Sequence, residues 1–352
     1  MESTARPLPV PEAPAARKGR ARKGQARQGQ ARQGEARQGE ARQGEARQGE
    51  ARGKEDLPSA KPLNVQPLPP WVIVSAHARQ ASTNPEPGAP ARDGGDDAFA
   101  AGAALFALDR VLRAEPVFLG ALRMRIALDA AVAASRLLHA RSDEAELRDI
   151  LHLARAGDEP GLAGRGHVLL RRFCERPTRL AGAVLDEIGS LGGSDGLPEW
   201  LDLLRADLAI AERLGWSRPL PLHLLAIHDP AFRRSEEGRR IRIGEPGWEQ
   251  VRHAVIARAA VHAHRRAFTL AGRAERLLAA SGTLRTRDAE AGLALILGDD
   301  CVAPWRMAVE GGAAPGKGMR SDRAARRFCQ SLHAKGALRL LTPRPTFRLY
   351  GL

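Results

Sequence analysis

The stretch PVFLGALRMRIALDAAVAASRLLHA, residues 116–140, has the periodic pattern from which the fold class follows. Its apolar residues return at every third or fourth position, which places them on one face of an α-helix. Pro116 suits the first turn of such a helix, because that position needs no backbone N–H donor. The stretch therefore predicts a helix that faces a protein core, with an apolar stripe formed by Phe118, Leu122, Ile126, Ala130, Ala133 and Leu137.

Similar patterns predict helices on both sides of this one. An apolar segment at 98–113 ends before Pro116, and Asp143 with Glu146 has the spacing of a capping box for a helix through Ala156. The buried face expected for that helix consists of Leu147, Ile150, Leu151 and Ala154. Gly and Pro separate further predicted helices near 161–175, 178–191, 198–214, 220–227 and 247–281. Together they predict a helical bundle at 97–283, long enough for one sizeable core.

The composition agrees with a mainly α-helical protein. Aromatic residues make up 4% of the 352 residues and Tyr350 is the single tyrosine, whereas the helix-forming residues Ala, Leu and Arg dominate. The three cysteines, Cys174, Cys301 and Cys329, form no CxxC pair, which favours a reducing compartment and inert thiols over a zinc module. No apolar leader and no long apolar run is visible, so we expect a cytoplasmic protein without a membrane partner.

Residues 1–96 are expected to form a disordered basic arm followed by a Pro-rich linker. In the arm an arginine recurs every five residues from Arg17 to Arg52, and each repeat carries a glycine that weakens a helix. The repeat is either a salt-sensitive tether to nucleic acid or an expansion with no role. The apolar run Trp71–Val74 interrupts the linker and predicts an edge strand or a short docking segment.

Positive charge is concentrated at the two ends of the chain. The formal charge of +14 divides into +7 for residues 1–92, −1 for residues 93–315 and +8 for residues 316–352. Clustered basic charge is the electrostatic footprint of a polyanionic partner such as nucleic acid. The C-terminal end is therefore the first place to look for a binding site.

Residues 284–352 predict a winged helix-turn-helix domain. Ser321 can cap a helix that ends near Gly336, and its apolar residues Ala325, Phe328 and Leu332 share one face. Two segments that alternate arginine with apolar residues follow, at 337–341 and 346–350, as the strands of a half-buried hairpin do. Helices at 286–297 and about 300–310 complete the front half of the domain.

The polar residues of this region are candidate contacts to duplex DNA. An α-helix fits the major groove, and a wing can touch the adjacent backbone. One alternative is that the basic side of the helix is only solvated. Another is that the winged module packs on a protein partner. The candidate DNA-binding residues are Arg320, Arg323, Arg326, Arg327, Gln330, Arg344 and Arg348.

The segment SDRAARRFCQSLHAKGALRLLTPRPTFRLYGL, residues 321–352, together with Leu108–Leu112 and Ala121–Arg125, resembles an uncharacterised bacterial family, domain of unknown function 1403. The resemblance covers about residues 98–352 and implies no activity. The same tail is similar to the winged-helix domain that ends many Fic-family proteins. Their HPFxxGNGR-type catalytic loop is missing from this sequence, so no transferase activity is implied.

The sequence offers no catalytic or metal-binding arrangement. Gly311 to Lys317 has the spacing of a phosphate-binding loop, but Gly318 replaces the Ser or Thr that would hold magnesium. His262 and His264 fall on opposite sides of a helix and cannot share a metal ion. Asp229 could orient His228, but no nucleophile stands beside them. We therefore predict no enzyme activity, no metal and no cofactor.

Acidic pairs such as Asp299–Asp300 are interpreted as solvated surface, although Asp299 could cap a helix of the winged domain.

The sequence as a whole predicts a DNA-associated bacterial protein, a regulator or a replicon-maintenance factor. Its helical domain would sense a ligand or mediate homodimerisation. A protein-interaction adaptor that makes no DNA contact is the alternative.

Overall fold

The fold is known from a computed structural model. It describes residues 64–77, 94–154, 157–192, 195–228, 241–282, 289–310, 319, 321–342, 344 and 347–352. The predicted repeat arm, the Gly311–Lys317 segment, Asp229 and the candidate contact Arg320 lie outside these residues. All described residues belong to one unit that begins at Glu55.

The described residues are mainly helical, as the sequence predicted. Their helices are α1 Pro70–His77, α2 Gly94–Arg113, α3 Leu119–Leu137, α4 Glu144–His152, α5 Leu162–Glu175, α6 Gly182–Gly189, α7 Leu197–Leu214, α8 Leu222–Leu225, α9 Trp248–Ser281, α10 Ala289–Gly298, α11 Pro304–Glu310 and α12 Asp322–Ala334. A 3-10 turn at Thr178–Leu180 precedes α6. None of the helices in this part of the chain is long and apolar enough to cross a bilayer.

Helix α3 forms the centre of the bundle, and the 34-residue α9 forms its long side. Helix α2 packs along α9, and α5 packs along α3. The predicted stripe of α3 is confirmed for its first four members, which are fully buried, whereas Ala133 and Leu137 are partly exposed. The charged Arg123 and Arg125 of α3 are buried as well, because other elements cover this helix on nearly every side.

The segment around Trp71 contradicts two expectations. Residues 70–77 form helix α1, so the edge-strand alternative is wrong, and residues 64–77 are not part of a disordered arm. Pro70 fixes a backbone angle that suits the first turn of a helix. Val72 and Ala76, four positions apart, are then buried together against α2 and α9. Tertiary contact thus overrides the strand preference of the Trp-Val-Ile-Val run.

Helix α4 begins as predicted and ends earlier. The Asp143 side chain accepts a hydrogen bond from the backbone N–H of Glu146 at 2.8 Å, which confirms the cap. The helix ends at His152, so Ala154 is not on its buried face and is exposed. His152 is buried instead, since it turns toward charged groups of other elements.

The C-terminal elements form a small helix-and-strand arrangement. Strands β1 Arg339–Leu340 and β2 Tyr350–Gly351 pair antiparallel, with Arg339 opposite Gly351 and Leu340 opposite Tyr350. Each is only two residues long, and both residues of β1 are exposed, so the expected half-buried alternation is not seen there. Val302, in the connection between α10 and α11, pairs with Tyr350 on the side of β2 that faces away from β1. This connection therefore belongs to the same ladder.

One hydrophobic core joins the bundle to the C-terminal elements. It extends from Val65 to Leu352 and includes residues on both sides of the predicted boundary at 283/284. Two close approaches show how tightly the parts fit: a Cβ on Gly120 of α3 would lie 2.7 Å from backbone atoms of Gly298, and one on Gly292 would lie 2.6 Å from the Phe328 ring. Glycine at these positions is required by packing.

Candidate nucleic-acid interface

Both ends of α12 are fixed by local hydrogen bonds. The Ser321 hydroxyl oxygen accepts from the backbone N–H of Ala324 at 3.2 Å, so the predicted cap is confirmed. At the other end Gly336 has a φ of 69°, and the N–H groups of Gly336 and Ala337 donate to the carbonyls of His333 and Leu332. This pair of bonds is the Schellman motif, which a left-handed glycine permits. The helix therefore presents its side chains from a rigid frame.

Helix α12 has two clearly separated faces. Ala325, Phe328, Cys329 and Leu332 are buried against the rest of the molecule. Arg323, Arg326, Arg327 and Gln330 are exposed and recur at three and four positions, so they form one stripe on the opposite side. The structure thus brings together four of the seven residues predicted to contact DNA.

The arginines of this region differ in their ionic partners. Arg326 pairs with Asp322 one turn earlier at 2.7 Å, and Arg344 pairs with Asp149 of α4 at 2.9 Å. Arg323, Arg327 and Arg348 are exposed and have no ionic partner among the described residues. We call the exposed residues Arg323, Arg326, Arg327, Gln330 and Arg348 the basic face.

A cleft of about 200 Å³ opens beside the basic face. Arg326, Gln330 and Arg348 line it together with two partly exposed aromatic residues, Trp305 and Phe347. Arg306 lies over the Trp305 ring with its guanidinium carbon 5.9 Å from the ring centre, and it donates to the Leu151 carbonyl at 2.9 Å. The cleft therefore combines positive charge with aromatic surface, a combination suited to a base, a phosphate or a peptide.

A charged group surrounds the segment between α10 and α11, and we call it the Asp300 cluster: Arg125, Arg148, His152, Arg171, Asp299 and Asp300. Arg171 and Asp299 are half-buried and the other four are buried. Asp300 is fully buried after α10, and its carboxylate accepts from Arg148 Nε at 2.9 Å and Arg171 Nη1 at 3.2 Å. Its backbone carbonyl accepts from Arg125 at 3.0 Å. Arg171 also binds both oxygens of Asp299 at 2.8 Å. The cluster ties α3, α4 and α5 to the segment that precedes α11.

The electrostatics of the cluster favour the charged form of Asp300. Burial alone raises the pKa of Asp300, but the nearby His152 and the charges of Arg125 and Arg171 outweigh it and hold that pKa well below its usual range. His152 Nε2 is buried 3.5 Å from the Asp300 carboxylate, at the long limit of a hydrogen bond. Burial lowers the pKa of the neighbouring His167 to about 4.

These contacts correct the interpretation of Asp299–Asp300 as solvated surface. That interpretation is wrong for Asp300, because its partners come from helices far away in sequence and replace water around it. Asp299 does not cap a helix: besides Arg171, its side chain accepts from the backbone N–H of Asp300 at 2.7 Å. Sequence reasoning could find neither role, since no local pattern links these residues.

His152, Asp300 and Cys301 place potential metal ligands within 4.8 Å of one another, but the set fits a cation poorly. The arginine groups already occupy the carboxylate of Asp300 and would repel a divalent ion. Burial, and then the charges of Asp300 and Asp299, raises the pKa of the Cys301 thiol well above its usual range. The thiol therefore resists conversion to the thiolate that a metal would need.

Two of the remaining histidines singled out in the sequence, His262 and His228, have ordinary partners. His262 Nε2 lies 2.9 Å from an oxygen of Asp129, which also binds Arg266, and His264 is buried on another side of α9. His228 Nε2 lies 2.8 Å from the Ala133 carbonyl. The suggested partner of His228, Asp229, is outside the described residues.

Comparison with known proteins places the chain in a family. The model of a family described as protein of unknown function (DUF1403) matches residues 63–202 and 194–352. The chain belongs to this family. Neither the curated proteins nor the solved structures contain a match to it.

The DUF1403 match begins at residue 63, well before the start near residue 98 that the sequence resemblance suggested. It therefore includes α1, which packs in the same core as α2 and α9. The basic face and Asp299–Asp300 both lie in the second matched segment, 194–352, and the arginines that hold Asp300 lie in the first. The Asp300 cluster thus connects the two matched segments.

Proposed function

We propose that this protein associates with duplex DNA through a C-terminal winged helix, as a bacterial regulator or replicon-maintenance factor. The observation that carries the proposal is the basic face, four of whose five residues lie on α12 opposite the buried face of that helix. A helix that is anchored on one side and basic on the other can enter the major groove without rearrangement.

The order of elements supports the winged-helix part of the proposal. Helix α10 is followed by the Val302 bridge, helices α11 and α12, and the strands β1 and β2. The Val302–Tyr350 pairing makes the connection after α10 a third, one-residue strand beside β2. Helix, strand, two helices and a terminal hairpin is the order expected of a winged helix, in which α12 would be the recognition helix.

The positive charge of the C-terminal residues supports the proposal that the protein binds DNA. Residues 316–352 carry a net charge of +8, and Arg323, Arg327 and Arg348 have no ionic partner in the part of the chain that the structure describes. Arginines without a carboxylate partner are free to replace counterions on phosphate, the main source of affinity for DNA. Arg326 would exchange Asp322 for phosphate at a modest cost, because exposed pairs contribute little to stability.

A salt-dependent binding titration tests the proposal. Fluorescence anisotropy with a labelled duplex of mixed sequence should show binding that weakens as salt rises. A plot of log K against log salt has a negative slope for DNA binding. The variant Arg323→Ala/Arg327→Ala should make this slope shallower by about 2, one unit for each lost phosphate contact. The matched control Arg179→Ala/Arg205→Ala removes the same charge from exposed positions elsewhere and should leave the slope unchanged.

The contribution of the repeat arm to binding is measured in the same assay. For this purpose the repeat arginines from Arg17 to Arg52 are changed to Gln in the full-length protein. If this variant loses binding while Arg323→Ala/Arg327→Ala retains it, the arm is the binder and the proposal for α12 fails. If the unmodified protein does not bind the duplex at low salt, the DNA function itself is wrong.

The adaptor alternative is favoured by one observation. Trp305 is 39% exposed and Phe347 is 43% exposed, and both border the cleft beside α12. Aromatic residues are enriched in protein interfaces. Lack of duplex binding by a well-folded protein would favour this second function, in which the winged module packs against a partner protein.

A further inference from the structure

The cleft beside the basic face is small and has aromatic walls. Its volume is about 200 Å³, below the range of about 300–1,000 Å³ typical of sites that enclose a whole small molecule. Trp305, at the start of α11, and Phe347, in the terminal hairpin, both line it, and they are 39% and 43% exposed. Two large rings from different elements therefore border one opening, and each remains partly in contact with water.

The two aromatic rings do not stack on each other. No ring contact joins Trp305 to Phe347 in the part of the chain that the structure describes. Arg306 lies over Trp305 with its guanidinium carbon 5.9 Å from the ring centre, so the indole has a cationic neighbour. A nucleobase can stack on aromatic surface that is left open in this way, since every base has a flat π-face.

The ring of the hairpin is held in place by a buried threonine. Thr342 is 3% exposed, and its hydroxyl donates to the Phe347 carbonyl at 2.8 Å. The same oxygen accepts from the backbone N–H of Leu349 at 3.1 Å. These two bonds cross the turn of the hairpin, so the backbone of Phe347 is tied to the segment that follows β1. A platform fixed in advance loses little conformational entropy when a ligand stacks on it.

The charge of the cleft suits a nucleotide. Arg326, Gln330 and Arg348 line it, and none of its described lining residues carries a carboxylate. The pair of Arg326 with Asp322 is exposed and can be exchanged for phosphate at little cost. A guanidinium can bind phosphate with two parallel hydrogen bonds, and the Gln330 amide can both donate to and accept from a base edge.

The position of the cleft relates it to the proposed DNA contact. Arg326 and Gln330 lie one turn apart on α12 and belong both to the basic face and to the cleft. A duplex that binds along the basic face would therefore have its backbone at the mouth of the cleft. A base that leaves the helical stack by rotating about the backbone could then reach the aromatic rings, whereas a paired base could not.

We propose that the cleft binds one unpaired nucleobase of a DNA strand, an inference that rests on the proposed function. Trp305 and Phe347 would stack on the base, Arg348 would bind the adjoining phosphate, and Gln330 would form hydrogen bonds with the base edge. The protein would then prefer DNA whose helix is interrupted by an unpaired base. Stacking adds an uncharged contact to the phosphate contacts of the basic face.

Two labelled duplexes that differ in a single base test the proposal with the full-length protein. Both have the same mixed sequence and one extra nucleotide in the centre of one strand. In the first duplex this nucleotide is thymidine. In the second it is an abasic residue, which interrupts the helix in the same way but offers no ring. Fluorescence anisotropy should show at least about fivefold tighter binding of the thymidine duplex, the lower end of the effect of stacking one base on an aromatic side chain.

Variants locate this preference in the cleft. Trp305→Leu/Phe347→Leu keeps apolar side chains but removes both aromatic rings, so the two duplexes should bind equally while the affinity for the abasic duplex is unchanged. Phe268→Leu is the matched control and should keep the preference, because Phe268 is 47% exposed on α9 and does not line the cleft. Arg323→Ala/Arg327→Ala should weaken both duplexes alike, since these arginines do not line the cleft either.

A cross-link identifies the contact without any substitution in the protein. With 5-iodouracil in place of the unpaired thymine, ultraviolet light should join the DNA to a peptide that contains Trp305 or Phe347, as identified by mass spectrometry. An excess of thymidine 5′-monophosphate should not displace the thymidine duplex, because a free nucleotide lacks the phosphate contacts along the basic face. Displacement would show that the cleft takes a free nucleotide and would overturn the proposal.

The results that contradict the cleft differ from those that contradict the DNA function. Equal binding of the thymidine and abasic duplexes overturns the proposal for the cleft and leaves the DNA function in place. A preference that survives in Trp305→Leu/Phe347→Leu, or a cross-link outside the cleft, also overturns it. Binding of the thymidine duplex without binding of a perfect duplex supports the cleft and contradicts the proposed duplex function. Binding of no DNA contradicts both.

Discussion

The Nε atom of Arg148 lies 2.9 Å from Oδ2 of Asp300, across 152 positions of sequence, and both side chains are buried. This contact joins α4 to the segment after α10, and Arg171 reinforces it from α5. The basic face of α12 rests on the same C-terminal elements. Its orientation relative to the bundle therefore depends on a buried charge pair as well as on apolar packing.

Removing the carboxylate of Asp300 should strongly destabilise the protein. Asp300→Ala leaves Arg148 and Arg171 buried with less compensation, and loss of one partner of a buried pair costs about 3–5 kcal/mol. Urea unfolding followed by circular dichroism measures the change. Asp202→Ala, which removes half of the exposed pair with Arg205, should cost less than about 1 kcal/mol. Equal losses for the two variants would contradict the role given to the Asp300 cluster.

Stability should fall as the pH is lowered from 7 to 5, in part through His167. Burial lowers the pKa of His167 to about 4, whereas in the unfolded chain it is close to 6.5. Between these values the unfolded state binds the proton and the folded state does not, so acid favours unfolding. This group alone should lower the free energy of unfolding by about 2 kcal/mol between pH 7 and pH 5.

The measurement is urea unfolding at both pH values for the unmodified protein and for His167→Phe. The free energy of unfolding of the variant should lack the part of the pH dependence that His167 contributes. His139→Asn, a change at an exposed histidine whose left-handed backbone Asn tolerates, should retain it. A His167→Phe protein with the full pH dependence would show that the pKa of His167 is not lowered in the native state.

Gly120 should not tolerate a side chain. A Cβ at this position of α3 would lie 2.7 Å from the Cα and carbonyl oxygen of Gly298, and backbone atoms cannot move aside cheaply. We expect Gly120→Ala to destabilise by about 1–3 kcal/mol despite its better helix propensity. Gly272→Ala, in open space within α9, should instead stabilise by about 0.5–1 kcal/mol. Thermal unfolding of both variants checks the opposite signs.

Release of Arg344 should strengthen DNA binding if the proposed function is correct. Arg344 pairs with Asp149 at 2.9 Å, so Asp149→Ala frees the guanidinium of this candidate DNA contact. The slope of log K against log salt should then steepen by about 1. Asp202→Ala, which removes an acid from the distant α7 surface, is the control and should not change the slope. An unchanged slope for Asp149→Ala would exclude Arg344 from the interface.

The thiols should resist modification in the native protein. Cys174, Cys301 and Cys329 are buried, as the sequence suggested, and burial raises their thiol pKa, to about 12 for Cys329. Since the thiolate is the reactive form, none of the three should react with a disulfide reagent at pH 8 before unfolding. Mass spectrometry with and without urea provides the count. Rapid labelling of the native protein would contradict this burial.

Local patterns in the sequence predicted most of the described helices and the N-terminal caps of α4 and α12. The apolar spacing predicted α3 and α12, and the caps at Asp143 and Ser321 are confirmed because they involve residues only three positions apart. The exposure of Arg323, Arg326 and Arg327 also follows from helix geometry, since they alternate with the buried Ala325 and Phe328. The run at Trp71–Val74 was misread because its burial comes from contacts with α2 and α9.

Which charged groups are buried depends on tertiary contacts and does not follow from any local pattern. Asp300 meets Arg148 and Arg171 across 152 and 129 positions, and Asp207 meets His223 from a neighbouring helix. A carboxylate loses its water only when several chain segments close around it and supply compensating donors. That closure depends on how the helices pack, so local sequence determined most of the helices, and the packing of the helices created the buried charge pairs.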